Sequence, residues 1–476
     1  MTRIKPAFPA LVSVLLIGGA VTATRPHYGG TLRIETTGTI QALELAAASA
    51  APEDANTSRL VLPLVHETLV AVDPAGGLRP LLAISWEGDA RGTRWLARLR
   101  SDVKLHDGSV LATSQVVSAL RASHPEWQAT ADGSDVVIEP GREEPDLPWE
   151  LADQRNAIAI HQPSGIVVGT GPFRVERIDA GGLALRAHDD YWGGRPFVDG
   201  VQIRMGRSLS DQLADLEAGR ADMVSVQPAD VRRLEQRQLR VAASRPLELF
   251  ALVFEPHLAT PANSALRRTL ASAIDRAAIA RVVLQGQAEP ADALLPQWLS
   301  GYAPFVLARL GQPLSRSVVA RLPPERRALS LRVGASDPTA QSMAQRIAVN
   351  AREAGFAITV QAPAGLGPRF DLRIVRLPVE PSTPGRAITA LMTDLGPRTM
   401  LMIGRVTSPG PGSSLEEVAS VERALLERDV TVPIVHVPEL YGLGRRLESW
   451  NEPLVSPSGA WSLADVWLGP DGSGTP

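Results

Sequence analysis

Hydrophobic and polar positions alternate most cleanly between Phe173 and Val226. Phe173, Val175 and Ile178 fall at strand-like spacing, and Leu183, Leu185 and Ala187 repeat it beyond Asp179-Ala180-Gly181-Gly182. Apolar alternation on both sides of a Gly-Gly turn predicts a β-hairpin. A third strand carries Val201, Ile203 and Met205 on one face. The period then lengthens: Leu213 and Leu216 share a helical face, Ser208 or Ser210 is placed to cap it, and Gly219 to end it. Ala221 to Val226 returns to strand. A hairpin followed by a strand–helix–strand crossover predicts a lobe of an α/β protein. The turn that opens this stretch, Gly169-Thr170-Gly171-Pro172, sets two permissive glycines before a φ-fixing proline.

The same reading extends in both directions. Tyr28 to Ile34 predicts a first strand, and Arg94 to Arg100 alternates as a half-buried one. Val103 to Ser109 reads as a strand ending in an Asp-Gly turn. A helix starts near Ala112, with Thr113 or Ser114 expected to cap it. Gly141-Arg142-Glu143-Glu144-Pro145-Asp146 predicts a solvated surface loop. Downstream, Leu247 to Phe254 is an apolar strand and Ser264 to Arg276 an amphipathic helix. Leu329 to Val333, Thr339 to Gly355 and Ala357 to Val360 form a β-α-β unit, with Phe370 to Leu377 as the next strand. The chain then runs through Pro-, Gly- and Ser-rich residues 408–414 to a helix at Leu415 to Arg428 and a strand at Val432 to His436.

At 476 residues the chain exceeds one ordinary core, so two or three domains are expected. A net charge of −3 argues against a nucleic-acid or anionic-membrane partner. The absence of cysteine excludes structural disulfides, thiol catalysis, thiolate metal sites and a lipid anchor on an N-terminal cysteine. Arg3 and Lys5, then the apolar run Ala10 to Ala20 and the small residues Val21-Thr22-Ala23, predict an export signal over residues 1–23. The run is short for a membrane span, although Pro6 and Pro9 leave an uncleaved anchor open.

Catalytic motifs are sparse. There is no His-Glu-x-x-His, no phosphate loop and no Gly-x-Ser-x-Gly elbow. His188-Asp189-Asp190 has the residue types of a divalent-ion site, but Tyr191, Trp192, Gly193 and Gly194 beside it favour a structural loop. The eight histidines show no clustered spacing, and no metal or cofactor is expected. Trp298, Tyr302 and Trp461 are candidates to enclose a small ligand, with core packing as the alternative. Arg373 and Arg376 are expected on one face of their strand, where they could hold an anionic group.

The ordered runs G-T-G-P-F from Gly169, D-Y-W-G-G-R-P-F-V-D-G from Asp190 and A-D-L-E-A-G-R-A-D from Ala214 carry a resemblance. So do the Gly29-Gly30 strand and Ala273-Ile274-Asp275-Arg276. Together they resemble family 5 extracellular solute-binding proteins, the dipeptide-, oligopeptide- and nickel-binding receptors of ABC importers. The resemblance implies an α/β fold like periplasmic binding proteins of type II, with two lobes, a hinge and a small extra domain. It implies a discontinuous domain I over residues 31–62, 166–247 and 432–476, domain II over 63–165 and domain III over 248–431. Hinge crossings would lie near Leu247 and Thr431. The implied function is capture of a short peptide or similar amine-bearing solute by a monomeric extracytoplasmic receptor, for delivery to a membrane permease without chemistry.

In peptide-binding relatives the strand matching Phe370 to Arg376 leads into Trp-x-x-Asp, whose carboxylate holds the peptide ammonium. Counting from Asp371 places Glu380 on that acid and Leu377 on the tryptophan. Ile40 lies in the loop Thr39 to Glu44, where the family carries Ser-Leu-Asp-Pro. The segment that lines the ligand is short here, which leaves a receptor-like scaffold or sensor as an alternative. A hydrolase on this scaffold is the second alternative. A transcription regulator is disfavoured, because the export signal stands where a DNA-binding module would.

Overall fold

The computed structural model describes residues 26–40, 43, 52–73, 76–162, 167–302, 315–334, 337–361, 370–410, 412–449, 454–456 and 459–469. The predicted export signal lies outside them. Among the described residues no helix is long and apolar enough to cross a membrane.

One mixed sheet runs through most of the molecule. Its path begins at the hairpin Phe173–Asp179 and Gly182–Ala187, then takes Gly200–Arg204, Thr31–Glu35 and Met223–Ser225. It continues through two long strands, Thr431–Leu443 and Arg240–Phe254, to Leu372–Pro378, Ala328–Arg332 and Ala357–Gln361. The hairpin closes between Asp179 and Gly182, as its alternation predicts. Thr31–Glu35 lies parallel to Gly200–Arg204 with Leu32 opposite Val201 and Ile34 opposite Ile203. These four side chains join Leu60, Leu64 and Phe173 in the first lobe's core. Helix Leu209–Glu217 follows, with the Ser208 hydroxyl accepting the Asp211 N–H at its start.

In the second lobe both sheet faces are covered. Phe250, Leu252 and Phe254 pack with Leu270, Met343 and Ile347 on one side. Leu249, Ala251 and Val253 pack with Leu391, Leu395, Val418 and Leu425 on the other. Burial on both faces is why this strand reads as an unbroken apolar run. Helix Pro384–Ile403 supplies much of the second layer and has no counterpart among the sequence expectations. Ile388, Leu391, Leu395 and Ile403 are buried along it, but Gly396 at φ 78° and Pro397 break its middle and mask the period.

The two long strands are longer than their apolar segments because each crosses from one lobe to the other. They pair antiparallel, and the register slips between Ala243 and Pro246 and again between Pro246 and Glu248. Pro246 faces Pro438 at the slip. Neither proline donates to the ladder, so the sheet is weakest where the lobes meet.

The small domain is a four-stranded antiparallel sheet, Ala83–Gly88, Trp95–Leu99, Asp135–Glu139 and Gln128–Asp132, covered by helix Thr113–Ser123. Two local expectations fail here. Ala112 begins the helix, and its N–H donates to Gln115 Oε1 at 2.8 Å, while the Thr113 hydroxyl turns away to Gly133 O at 3.0 Å. The loop 141–146 is not solvated throughout. Glu144 is buried, accepts from Arg142 Nε at 2.9 Å, and its carbonyl accepts from Trp95 Nε1 at 3.1 Å.

Candidate functional site

The end of strand Leu372–Pro378 lies along the inter-lobe crossing. Pro378 registers with Glu248, and the Val379 N–H donates to Leu247 O at 2.7 Å. This brings Arg376 and Glu380 to either side of residues 247–248. Arg376 Nη2 and Nε reach Glu248 Oε2 at 2.5 and 2.8 Å, and the guanidinium sits 5.5 Å from the Phe250 ring centre. Burial raises the Glu248 pKa, Arg376 opposes that, and the neighbouring Glu439 and Asp337 add to it. Glu380 is half-buried; burial first, then Asp153, raises its pKa against the lowering effect of Arg386 and Arg155.

Trp298 joins from the next element. Its Nε1 donates to Pro246 O at 3.1 Å, and Arg245 lies 5.1 Å from its ring centre. From the first lobe, Arg59 pairs with Glu439, and the Tyr441 hydroxyl donates to Glu439 Oε2 at 3.0 Å. Burial and the Glu439 charge hold the Tyr441 phenol well above its ordinary pKa. Trp461 packs edge-on against Tyr441 at 6.1 Å between centres. A Cβ on nearby Gly459 would fall 2.6 Å from Leu247 Cδ1. The sequence candidates Arg376, Glu380 and Trp298 therefore gather along one short segment, Pro246–Glu248, together with Glu439, whereas Trp461 is buried in the first lobe's core and takes the packing role.

The other candidates stand elsewhere. Arg373 and Arg376 do not share a strand face: three residues apart, they project to opposite sides of a period-two element. Arg373 Nη2 donates to Thr399 Oγ1 at 2.8 Å, and its Nε lies 3.4 Å from Glu255 Oε1. The Tyr302 hydroxyl donates to Glu422, whose Oε1 accepts the N–H groups of Leu294 and Leu295. Burial, then the Glu422 charge, raises the Tyr302 pKa. Ile40 is buried in the first lobe's core, its N–H on Met205 Sδ at 3.2 Å. The residues that sequence reasoning missed are Glu248, Glu439, Arg59 and Arg245. Glu248 and Glu439 had a readable signal, since each is a lone acid inside an apolar strand.

His188, Asp189 and Asp190 are spent on packing. His188 Nδ1 contacts Gly171 O at 3.2 Å, Asp189 takes Arg195 at 2.8 Å and Asp190 takes Lys104 at 3.0 Å. The histidines do gather in space although not in sequence. His106 and His188 meet edge to face at 5.1 Å, and His66 lies against the same Gly169–Gly171 turn. Burial pushes the pKa of His66 down to about 3 and that of His106 to about 4. Among the described residues, no group of three or more His, Asp or Glu converges closely enough to hold a metal ion.

Comparison with known proteins places this architecture. The sequence model described as bacterial extracellular solute-binding proteins, family 5 Middle, matches residues 77–367. The nickel-binding protein NikA of Staphylococcus aureus is 26% identical over 47% of this chain and 49% of its own. The peptide transport periplasmic protein SapA of Salmonella typhimurium is 24% identical over 60% of this chain and 62% of its own. The chain thus spans about half to three fifths of these relatives' lengths. The crystal structure of the ABC transporter substrate-binding protein CtaP from Listeria monocytogenes covers 93% of this chain and 99% of its own, with TM-score 0.76 at 16% identity.

Proposed function

From the premise that this chain belongs to the bacterial extracellular solute-binding proteins of family 5, we propose that it captures a small solute between its two lobes. Delivery is to the membrane permease of an ABC importer, and no bond is made or broken. The carrying observation is the group of charged and aromatic side chains at the crossing: Glu248, Glu439, Glu380, Arg376, Arg59 and Trp298. Carboxylates and guanidiniums in one half-buried place suit a zwitterion that carries both an ammonium and a carboxylate. A short peptide or another amine-bearing solute meets that description. Aromatic faces add contact area without fixing a side-chain identity.

In this reading residues 31–62, 166–247 and 438–476 form one lobe, 248–437 the other, and 63–165 the small domain; the second crossing moves from Thr431 to Pro438 because Val432, Ile434, Val435 and Val437 pack in the second lobe's core. The broken ladder at Pro246 and Pro438 is the hinge, where a few residues absorb the rotation of closure. Residues 1–23 direct export, so mature protein from the envelope begins near Thr24.

Calorimetric titration with di- to pentapeptides and their N-acetylated forms tests the ligand class. Saturable binding of free peptides, lost on acetylation, is expected. Equal binding of both forms, or binding of sugars or metal chelates instead, would overturn the amine requirement.

A further inference from the structure

A second polar site lies on the first lobe's sheet, built from different residues than the crossing. Arg33 and Gln202 are direct neighbours across the ladder, and Arg204 is two residues further along the same strand. All three point to the face opposite Leu32, Ile34, Val201 and Ile203, which fill the core. Arg220 reaches the same place from the turn after helix Leu209–Glu217. These four side chains line a hollow of about 340 Å³.

Its charge does not cancel. Asp222 holds Arg33 and Arg446. Asp215 holds Arg204, Arg207 and Arg220, and Glu35 is shared between Arg204 and Arg207. Among the described residues, with Arg446 set aside, the four guanidiniums of Arg33, Arg204, Arg207 and Arg220 thus meet three carboxylates, an excess of one positive charge. The hydrogen bonds of Arg33 and Arg220 to their acids run through Nε and Nη2, and that of Arg204 through Nη2, leaving the Nη1 groups outside these pairs. Burial, more than any other cause, raises the Glu35 pKa to about 7, so near neutrality the excess is larger still. The three acids orient the arginines without neutralising them.

The adjoining hollow of about 490 Å³ makes the contrast. It shares Gln202, but Arg186 and Arg195 there face Glu176, Asp189 and Asp199. Only the first hollow offers convergent, under-compensated guanidiniums, the donor geometry that planar and tetrahedral oxyanions take.

We propose that the Arg33–Arg204–Arg220 hollow binds a phosphate-type oxyanion, either free or as a lipid headgroup. The site is independent of the solute reading, and Gln202, which lines it, is exposed and belongs to neither lobe's core. The test is calorimetry of the full chain with inorganic phosphate against chloride at matched ionic strength, since screening alone weakens every ion pair. Saturable 1:1 phosphate binding is expected. Gln202→Glu, which sets a carboxylate among the guanidiniums, should weaken it about tenfold or more with the melting temperature unchanged. Vesicles of phosphatidylcholine with and without phosphatidylglycerol separate the sources. Co-sedimentation that needs phosphatidylglycerol and fails in Q202E assigns a headgroup, whereas phosphate binding alone assigns a free anion. Identical behaviour of phosphate and chloride with no vesicle binding, or indifference of all binding to Q202E, would overturn the site.

Discussion

Where the small domain meets the first lobe, the chain turns through Gly169-Thr170-Gly171 directly against the backbone of Leu64 and Val65. Where the first lobe meets the second, it crosses on two strands whose ladder slips at Pro246. The first junction is tight and neutral. A Cβ at Gly169 would lie 2.0 Å from Val65 O, and one at Gly171 2.6 Å from Leu64 O. His106 accepts the Gly169 N–H through Nδ1 at 3.2 Å, and its Nε2 lies 3.0 Å from Gly171 O. Glu67, pushed up to about 7 by burial, takes Tyr191 and Trp192 at 2.7 and 2.9 Å. The second junction is charged and half-exposed, with the arginines of its ion pairs reaching the surface. Close backbone packing resists rotation, whereas exposed ion pairs on a broken ladder cost little to rearrange. The difference separates a joint packed too closely to turn from the one through which the proposed closure would turn.

The contrast breaks most readily at the tight joint. Gly169→Ala forces a methyl into Val65 O and the His66 ring, with backbone on one side that cannot yield. A loss of about 3 kcal/mol or more is expected, read as a lowered midpoint in urea. An unchanged midpoint would mean that this joint has slack.

Acid probes the same joint. His66 is buried, has a folded pKa of about 3, and lies near His106 and His161. An unfolded histidine titrates near 6.5, so the unfolded chain binds the proton first and the native state loses stability as pH falls below that value. Between pH 6.5 and 4 this one group costs about 3 kcal/mol. Glu67 and Glu35, raised to about 7, take up protons in the native state over the same range and act in the opposite sense. The histidine contribution is therefore read as a difference. His66→Leu should be less stable than wild type at pH 7 and should match or exceed it at pH 4. A constant gap between the two urea curves would remove His66 from the acid response.

A third tie complicates the comparison, because the small domain also touches the second lobe. Arg386, at the start of helix Pro384–Ile403, pairs with Glu150 and lies 3.8 Å from Glu144. The Gly412 N–H donates to Asp146 Oδ2 at 2.8 Å beside them. Arg386→Gln removes one partner from two largely buried carboxylates that keep Arg142 and Arg155, with an expected cost of about 1 kcal/mol, and should widen the ligand-free molecule in solution scattering. A scattering curve identical to wild type would show that this tie does not hold the lobes together.

What the sequence made legible follows from period and punctuation. The hairpin, the Ser208-capped helix and the β-α-β unit were readable because each buries one face at one period. Helix Pro384–Ile403 was hidden by Gly396-Pro397, and the cap at Ala112 by a side chain three residues on. The histidine cluster and the Arg33 hollow were invisible, since His66, His106 and His188 meet only after the chain has folded. Trp461 was legible as an aromatic with two roles open, ligand contact or core packing, and the fold gives it the second. Glu248 and Glu439 stood out as acids in apolar strands, but only register shows that they share a joint.

The smallest expected effect on stability falls at the Pro246 crossing, and it is the one that tests the proposed function. Glu380 sits one residue beyond the Val379–Leu247 hydrogen bond, half-buried, with Asp153 and Glu150 adding to a pKa that burial already raises. Replacing it by glutamine keeps the shape and removes a charge that its acidic neighbours oppose. The melting temperature of Glu380→Gln should therefore match wild type or slightly exceed it. An ammonium ligand, in contrast, loses its carboxylate partner in a half-buried place, and its affinity should fall at least about tenfold, or roughly 1.4 kcal/mol. Tyr302→Phe supplies the opposite pattern, because it strips the Glu422 carboxylate of a donor inside the second lobe's core. That variant should melt lower and bind as wild type does. If Glu380→Gln melts lower and binds normally, the carboxylate is a structural prop, and the charged group at the crossing must be read without it.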